Sequence, residues 1–275
     1  MRTACFFMQF LLFLEQSFAT SCPPVFPASL PVQQFLDSYQ YHYQDICIGE
    51  EIYPIGGNAC DQRFELIRPI LDAFQEPFSV LDLGACDGYF SFRIARNYPA
   101  ICHMIEGEVH QKKGKLHQLC LMNQDLPCVF MKEKINLTSL KYLQEKERFD
   151  LVIAFLVVHQ LAGQKHPERI SFLDDAKKYI AILLEMGNYV LIETSTDVRP
   201  QLDRYVEELC SEKNGLYLGE LCRYKTDYDQ GAKGRFFLFQ SQNPRPSSGL
   251  IQQEVFKKLQ GQFIAPCLAS SSIDR

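Results

Sequence analysis

Apolar and polar positions along the chain form two alternating patterns. Short apolar runs bounded by polar or glycine-containing segments are typical of buried strands, and apolar residues spaced three and four apart are typical of helices packed on a sheet. The strands predicted in this way are 80–83, 101–105, 128–131, one beginning at 149, 189–193, 216–224 and 234–240. The predicted helices are 61–74, one beginning at 89, 108–122, 138–147, 167–186 and 201–211. Helices that alternate with strands indicate an α/β fold with a mostly parallel sheet, and the last two strands are predicted to form a C-terminal hairpin.

The first 22 residues form an apolar leader that differs from the rest of the chain. Arg2 precedes the apolar run 4–14, and Ser17 and Ala19 are small residues of the kind that precede a cleavage site. This pattern resembles a secretory signal peptide, and a docked N-terminal helix is the alternative interpretation. The run is shorter than the roughly 20 residues that a membrane-spanning helix needs.

Three further regions follow the leader, and composition gives their boundaries. Residues 23–60 are predicted to be a linker and N-terminal cap, extended from Pro23 to about Leu36 because this stretch is rich in proline. Residues 61–240 carry the alternating pattern and are predicted to be one domain. Residues 241–275 are predicted to be a polar tail with one short helix at 250–259.

A turn with two glycines follows the first strand of this domain, in the run VLDLGACDGYF from Val80 to Phe90. Glycine at 84 permits a positive φ, and glycine at 88 lacks the Cβ that would keep a bulky cofactor away from the N-terminus of the next helix. A strand, a tight turn and a helix in this order point backbone N–H groups at a ligand. The run therefore predicts a nucleotide-type cofactor site.

This run resembles the first motif of the class I S-adenosyl-L-methionine (SAM)-dependent methyltransferases. Asp82, Gly84 and Gly88 hold the acidic, first-glycine and third-glycine positions of the motif, and Cys86 stands where the middle glycine is usual. The resemblance implies a single Rossmann-like, seven-stranded, mostly parallel sheet with helices on both faces. It also implies SAM as the co-substrate, bound at Asp82, Gly84, Ala85 and Gly88.

The second and fourth predicted strands extend the resemblance. Glu106 closes the second strand, eighteen positions after Gly88, where a carboxylate accepts hydrogen bonds from ribose hydroxyls. A solvated loop acid is the alternative. The segment 149–160 resembles the family's fourth strand and following loop, which implies that Phe155 flanks the adenine or the methyl group, with core packing as the alternative. The loop 133–136 is the predicted contact for the adenine edge.

His159 is the candidate catalytic residue. Methyl transfer is an in-line displacement at a sulfonium carbon, so alignment and exclusion of water supply much of the rate and a general base is optional. The resembled enzymes often carry two histidines just past the fourth strand, and here the second position is Gln160. The resemblance thus implies His159 as a base for a hydroxyl or acidic acceptor, with helix capping or structural packing as the alternative.

Other reaction classes lack their motifs. A dinucleotide site carries G-x-G-x-x-G, whereas this chain has G-x-x-x-G with an acid two residues before the first glycine, which suits SAM better than a pyrophosphate. No phosphate loop, H-E-x-x-H or G-x-S-x-G sequence occurs. Methylation of adenine or amide nitrogen is disfavoured because the segment 154–157 reads Ala-Phe-Leu-Val instead of an acid or amide, two prolines and an aromatic residue.

Charge, cysteine content and histidine spacing limit the classes of acceptor and metal that the sequence predicts. A net charge of −5 provides no basic field for many phosphates, so a small-molecule acceptor is favoured over nucleic acid. The eleven cysteines form no C-x-x-C pair, and His103, His110 and His117 lack the arrangement of metal ligands, so no metal is predicted. The supply of SAM favours the cytoplasm, and the signal-like leader leaves export or membrane association as the alternative.

Two functions of different classes follow from the sequence. The first is an active SAM-dependent methyltransferase with an unidentified acceptor. The second is a catalytically inactive relative that keeps the fold as a binding or scaffold protein. Cys86, the missing acceptor motif and the leader are the features that keep this second function open.

Overall fold

A computed structural model describes residues 31–38, 43–57, 59–107, 115–131, 135–163, 171–197, 199–222 and 233–241. The leader, the helix at 250–259, His110 and the first half of the loop 133–136 lie outside the described residues. In chain order the helices and strands are α1 (Val32–Ser38), β1 (Ile46–Ile48), β2 (Glu51–Tyr53), α2 (Cys60–Leu71), β3 (Phe78–Leu83), α3 (Tyr89–Asn97), β4 (Ala100–Ile105), α4 (Lys115–Met122), β5 (Cys128–Met131), α5 (Leu137–Lys146), β6 (Phe149–Phe155), α6 (Val158–Leu161), α7 (Ser171–Met186), β7 (Gly187–Ser195), α8 (Pro200–Glu212), β8 (Leu216–Cys222) and β9 (Lys233–Gln240).

Seven of these strands form one sheet in the order β5-β4-β3-β6-β7-β9-β8. β3, β4, β5, β6 and β7 pair in parallel, and β9 runs antiparallel between β7 and β8. The predicted seven-stranded, mostly parallel sheet with a C-terminal hairpin is therefore confirmed. The strand order reverses between β3 and β6, so the carboxyl ends of these two strands border the crevice in which open α/β sheets bind ligands.

Helices cover both faces of the sheet, and alternate side chains of β3 point to the two faces. Leu81 and Leu83 point into the larger apolar cluster, which includes Ile180 and Leu183 of α7. Asp82 points to the opposite face, where it contacts Ser91 of α3. Strands buried on both faces have continuous apolar runs, which explains why β3, β6 and β7 could be recognised in the sequence.

A buried carboxylate joins three strands at the amino edge of the sheet. Oδ2 of Asp150 in β6 accepts hydrogen bonds from the backbone N–H (2.8 Å) and the hydroxyl (3.0 Å) of Ser79 in β3. Its Oδ1 accepts a third from the side-chain amide of Asn188 in β7, at 3.2 Å. Each of the three residues is the second of its strand, so the bonds fix the strands in register at their starts.

Two local elements differ from the sequence prediction. The segment predicted to be extended to about Leu36 contains α1, which begins immediately after Pro31, and Phe35 of this helix is buried. Proline is compatible with a helix start because its missing N–H would have no partner in the first turn. The strands β1 and β2 form an antiparallel hairpin that was not predicted, with the turn at Gly49 and Glu50.

His103 of β4 is a buried histidine in the larger half of the core. Its ring packs edge-on against Phe149, with 5.2 Å between the ring centroids. Burial lowers the pKa of His103 from 6.5 to about 4, because the charged imidazolium loses its hydration. The folded protein therefore holds the neutral form, while the unfolded chain takes up a proton below pH 6.5.

This difference predicts a pH-dependent stability. The contribution of His103 is fully present above its unfolded pKa and is lost as the pH falls towards 4. We expect the stability advantage of the parent over His103→Asn to shrink by about 2 kcal/mol between pH 7.5 and pH 5. Urea unfolding of both proteins at several pH values measures this difference. Parallel pH profiles for the two proteins would contradict it.

Candidate functional site

The turn after β3 is fastened to the end of β4. The N–H groups of Gly84 and Ala85 both donate to the carbonyl oxygen of Ile105, at 2.8 and 3.1 Å. The N–H of Gly88 donates to the carbonyl of Ala85 at 2.8 Å, which closes the turn before α3 begins. The turn therefore lies at the carboxyl edge, between the ends of two neighbouring parallel strands.

The two glycines are required by backbone conformation and by packing. Gly84 has a φ of +77°, in the left-handed region as predicted, and Gly88 has a φ of +76°, which was not predicted. A Cβ on Gly84 would lie 2.7 Å from Cγ2 of Val157, and one on Gly88 would lie 2.5 Å from Cε2 of Phe92. A Cβ at position 88 would meet protein side chains, so packing by itself requires this glycine, and its role in binding a cofactor stays a prediction.

Cys86, at the position where the middle glycine is usual, also has a positive φ, of +54°. A residue with a Cβ pays roughly 1–2 kcal/mol for this conformation. Its N–H donates to Oε2 of Glu106 at 2.6 Å. The turn therefore keeps the backbone shape of a glycine turn at the expense of local strain.

Glu106 follows β4 and is held by two backbone groups. In addition to the bond from Cys86, Oε1 of Glu106 accepts the N–H of Gly107 at 2.7 Å. The residue is 6% exposed, so it is not the solvated loop acid of the alternative interpretation. A carboxylate can accept about four hydrogen bonds, so the two backbone donors orient it without exhausting its capacity.

Asp82 and Glu106 lie on the same side of the sheet. Asp82 pairs with Met104 of β4, and Glu106 follows Met104 by two residues. The hydroxyl of Ser91 donates to Oδ2 of Asp82 at 2.7 Å. The pKa of Asp82 is raised to about 7, chiefly because burial removes the hydration of its carboxylate and also because the charge of Glu106 repels it, while the hydrogen bonds from Ser91 oppose the rise in part. The two predicted acids are thus brought together, and the charge of one affects the other.

Gln44 caps the turn from a distant part of the chain. Its side-chain oxygen accepts the N–H groups of Asp87 and Tyr89, both at 3.2 Å, and its own N–H donates to Oδ2 of Asp87 at 3.3 Å. Tyr89 is the first residue of α3, whose N-cap Gly88 offers no side chain. Gln44 therefore supplies the missing cap and attaches the segment before β1 to the turn.

The other predicted site residues lie in protein packing. Ala85 is buried, and its N–H is used by Ile105. The half-buried ring of Phe155 packs edge-on against the rings of Phe90 and Phe236, with 4.9 and 5.5 Å between centroids. His159 is 7% exposed and lies in the short helix α6, just past β6. Proximity to the turn does not by itself assign these three residues a role.

Sequence reasoning missed three features of the site. Gln44 and Ser91 bind the turn and Asp82 through contacts that no local motif indicates. The backbone strain at Cys86 was indicated only by its place in a glycine motif. Of the predicted adenine loop, Ile135 and Asn136 are described: Ile135 packs against the larger apolar cluster, and the side chain of Asn136 accepts the N–H groups of Thr138 and Ser139 as the cap of α5.

The described ranges carry neither a metal site nor a membrane-spanning helix. No group of His, Cys, Asp or Glu side chains there could hold a metal ion. No helix among these residues has the length and apolar character to cross a membrane. Free thiols whose side chains the structure describes include Cys47, Cys60, Cys86, Cys102, Cys120, Cys128 and Cys210.

The strain at Cys86 predicts a stabilising substitution. Cys86→Gly removes the Cβ penalty of about 1–2 kcal/mol and loses about 0.5–1 kcal/mol to the greater freedom of glycine in the unfolded chain. We expect a net gain of about 0.5–1 kcal/mol in the free energy of unfolding, measured with urea. Cys86→Ala is the matched control, because it loses the thiol but keeps the Cβ. The explanation is wrong if the alanine variant is as stable as the glycine variant.

Comparison with protein-family models gave no match, and comparison with curated protein sequences also gave none. Solved structures do match. The bifunctional kinase-methyltransferase WbdD aligns with a TM-score of 0.60 and 21% identity over 77% of this chain and 46% of its own. This chain therefore aligns with a little under half the length of WbdD.

Two further structures are similar at lower scores. The N-terminal domain of EvdMO1, determined in the presence of S-adenosylhomocysteine (SAH) and D-fucose, aligns with a TM-score of 0.49 and 13% identity over 76% of this chain and 95% of its own. Magnesium protoporphyrin IX methyltransferase (ChlM) from Synechocystis PCC 6803, with bound SAM, aligns with a TM-score of 0.46 and 14% identity over 65% of this chain and 76% of its own. The likeness to WbdD, together with the strand order, shows that this chain has the class I methyltransferase fold.

Proposed function

We propose that this chain is a SAM-dependent methyltransferase. The observation that carries the proposal is the pair of buried acids at the carboxyl edge, Asp82 at the end of β3 and Glu106 just past β4. The turn between them binds both strand ends. The fold shown by the comparison with WbdD supports the proposal, since the same edge of an open α/β sheet is where ligands bind.

Glu106 is suited to bind the ribose of SAM. The N–H groups of Cys86 and Gly107 hold its carboxylate in one orientation. A carboxylate fixed in this way accepts two neighbouring hydroxyls without a cost in side-chain entropy. Recognition of ribose by an acid after the second strand of the domain is also how dinucleotide-binding sheets read this sugar.

The hydrogen bonds of Gln44 disfavour a dinucleotide or another phosphate-bearing cofactor. The N–H groups at the start of a helix after a glycine turn form the usual binding site for phosphate. Here the side-chain oxygen of Gln44 accepts the N–H groups of Asp87 and Tyr89. The nearby acids would also repel a pyrophosphate. A cationic sulfonium nucleoside fits these surroundings better than an anionic ligand.

The fold supports an assignment of the residues on the acceptor side of the site, where the methyl group would be transferred. SAM supplies a methyl group on a sulfonium, and the chain must align an acceptor lone pair with that bond and exclude water. Phe155 is the last residue of β6, the strand next to β3 in the sheet, and His159 follows it in α6. We assign Phe155 to one wall of the methyl region and His159 to removal of a proton from a hydroxyl or acidic acceptor.

A small molecule is the proposed acceptor class. The chain carries a net charge of −5, which gives little electrostatic attraction for a polyanionic substrate such as nucleic acid. Transfer of labelled methyl groups from SAM to fractions of a cell extract tests for the acceptor. A catalytically inactive relative would bind SAH and label no fraction.

Calorimetric titration with SAH tests the proposed binding site. Glu106→Gln replaces one oxygen acceptor with an amide donor that opposes a backbone N–H. We expect at least about tenfold weaker binding, equivalent to about 1.4 kcal/mol. Glu185→Gln, an exposed carboxylate of α7, is the matched control and should bind like the parent. If the full chain shows no SAH binding, the proposed function is wrong.

The raised pKa of Asp82 predicts that a proton is released when SAM binds. Its pKa is raised to about 7 in the ligand-free protein, so a substantial fraction is protonated at neutral pH. A cationic ligand nearby favours the carboxylate and lowers this pKa, so SAM affinity should rise with pH between about 6 and 8. Calorimetry in buffers of different ionisation enthalpy measures the released proton. Asp82→Asn should abolish the release, and its persistence in that variant would contradict the assignment.

A further inference from the structure

Arg63 and Glu193 form an ion pair enclosed by protein. Nη2 of Arg63 in α2 lies 2.9 Å from Oε1 of Glu193 in β7, and the two side chains are 2% and 0% exposed. Taking both charges out of water is costly, and a packed apolar pair of similar volume is often as stable or more stable. Stability alone therefore does not explain why this pair is present.

The pair lies beside the acceptor side of the proposed site. Glu193 is directly opposite Phe155 of β6 and Phe236 of β9 in the sheet. Asp82 pairs with Ile153, which precedes Phe155 by two residues on the same strand. Alternate residues of a strand share a face, so Asp82, Phe155 and Glu193 project from one face of the sheet.

Glu193 also holds the first residue of the loop after β6. Its backbone oxygen accepts the N–H of Leu156 at 3.3 Å. Leu156 has a φ of +53°, a left-handed conformation that is strained for a residue with a Cβ and persists only where neighbouring structure imposes it. The loop leads directly into α6, which contains His159.

The neighbouring strand is shaped around the Glu193 carboxylate. A Cβ on Gly234 of β9 would lie 2.3 Å from Oε1 of Glu193, so only glycine leaves the carboxylate its place. Arg63 reaches the same oxygen from the first turn of α2. The side chain of Glu193 is therefore in contact with α2 and β9, and the backbone of the same residue holds the end of β6.

We propose that Arg63 and Glu193 are positioning residues for the acceptor side of the site. The ion pair holds α2 against β7. β7 in turn holds Phe155 and the loop that leads into α6, the helix that contains His159. This inference rests on the proposed function, because the roles of Phe155 and His159 come from it. The charges are retained for geometry at the end of β6, and the free energy of folding does not require them.

The double variant Arg63→Met/Glu193→Leu separates geometry from stability. Each single substitution leaves one buried charge or an empty place and should lower the urea midpoint, whereas the double variant should recover it. We expect amide exchange in the peptide 155–163 to rise about tenfold in the double variant, with the peptide 100–105 unchanged. Arg68→Met, an exposed residue of the same helix, is the matched control.

SAH binding and methyl transfer give the second measurement. In the double variant, SAH affinity should stay within about twofold of the parent, while transfer to the extract fraction that the parent labels should fall about tenfold. Unchanged exchange in 155–163 together with unchanged transfer overturns the positioning role. If the double variant does not fold, Glu193→Gln, which keeps the shape and removes the charge, is measured for the same exchange with the same two outcomes. Loss of SAH binding by the parent would instead overturn the proposed function and leave the exchange result valid.

Discussion

The site depends on the hydrogen bonds that join the turn after β3 to the end of β4. Cys86 donates to the Glu106 carboxylate, and Gly84 and Ala85 donate to the carbonyl of Ile105. Parallel neighbours in a sheet bring their carboxyl ends to the same edge, so a few short bonds are enough to hold two strand ends together. These bonds fix the position of the turn relative to the second acid.

Three buried carboxylates share one face of this sheet, and the protein accommodates each in a different way. Asp82 is accommodated by a raised pKa, so that it is partly neutral at physiological pH. Glu106 is stabilised by two backbone N–H groups, and Glu193 by the guanidinium of Arg63. A charge in the interior needs one of these solutions. The difference leaves Asp82 as the carboxylate of the three whose charge a ligand can change most easily.

The sequence allowed prediction of features that depend on nearby residues. The strand before the turn, the positive φ at Gly84 and the acid at Glu106 all belong to local patterns, so the sheet and the central pair of acids could be inferred. Gln44 and the Arg63–Glu193 pair could not, because they join residues separated by 43 or more positions, and single-sequence patterns do not report such contacts. Short elements such as α1 and the β1–β2 hairpin carry too few residues for periodicity to be clear.

Asp150 binds the starts of β3, β6 and β7 at the edge of the sheet that faces away from the candidate site. Strand alignment is thus secured independently of the connections at the other edge. Loops at the carboxyl edge can be lengthened, shortened or exchanged while the strands keep their register. A scaffold of this kind is well suited to the evolution, or the laboratory grafting, of new substrate preferences on an unchanged framework.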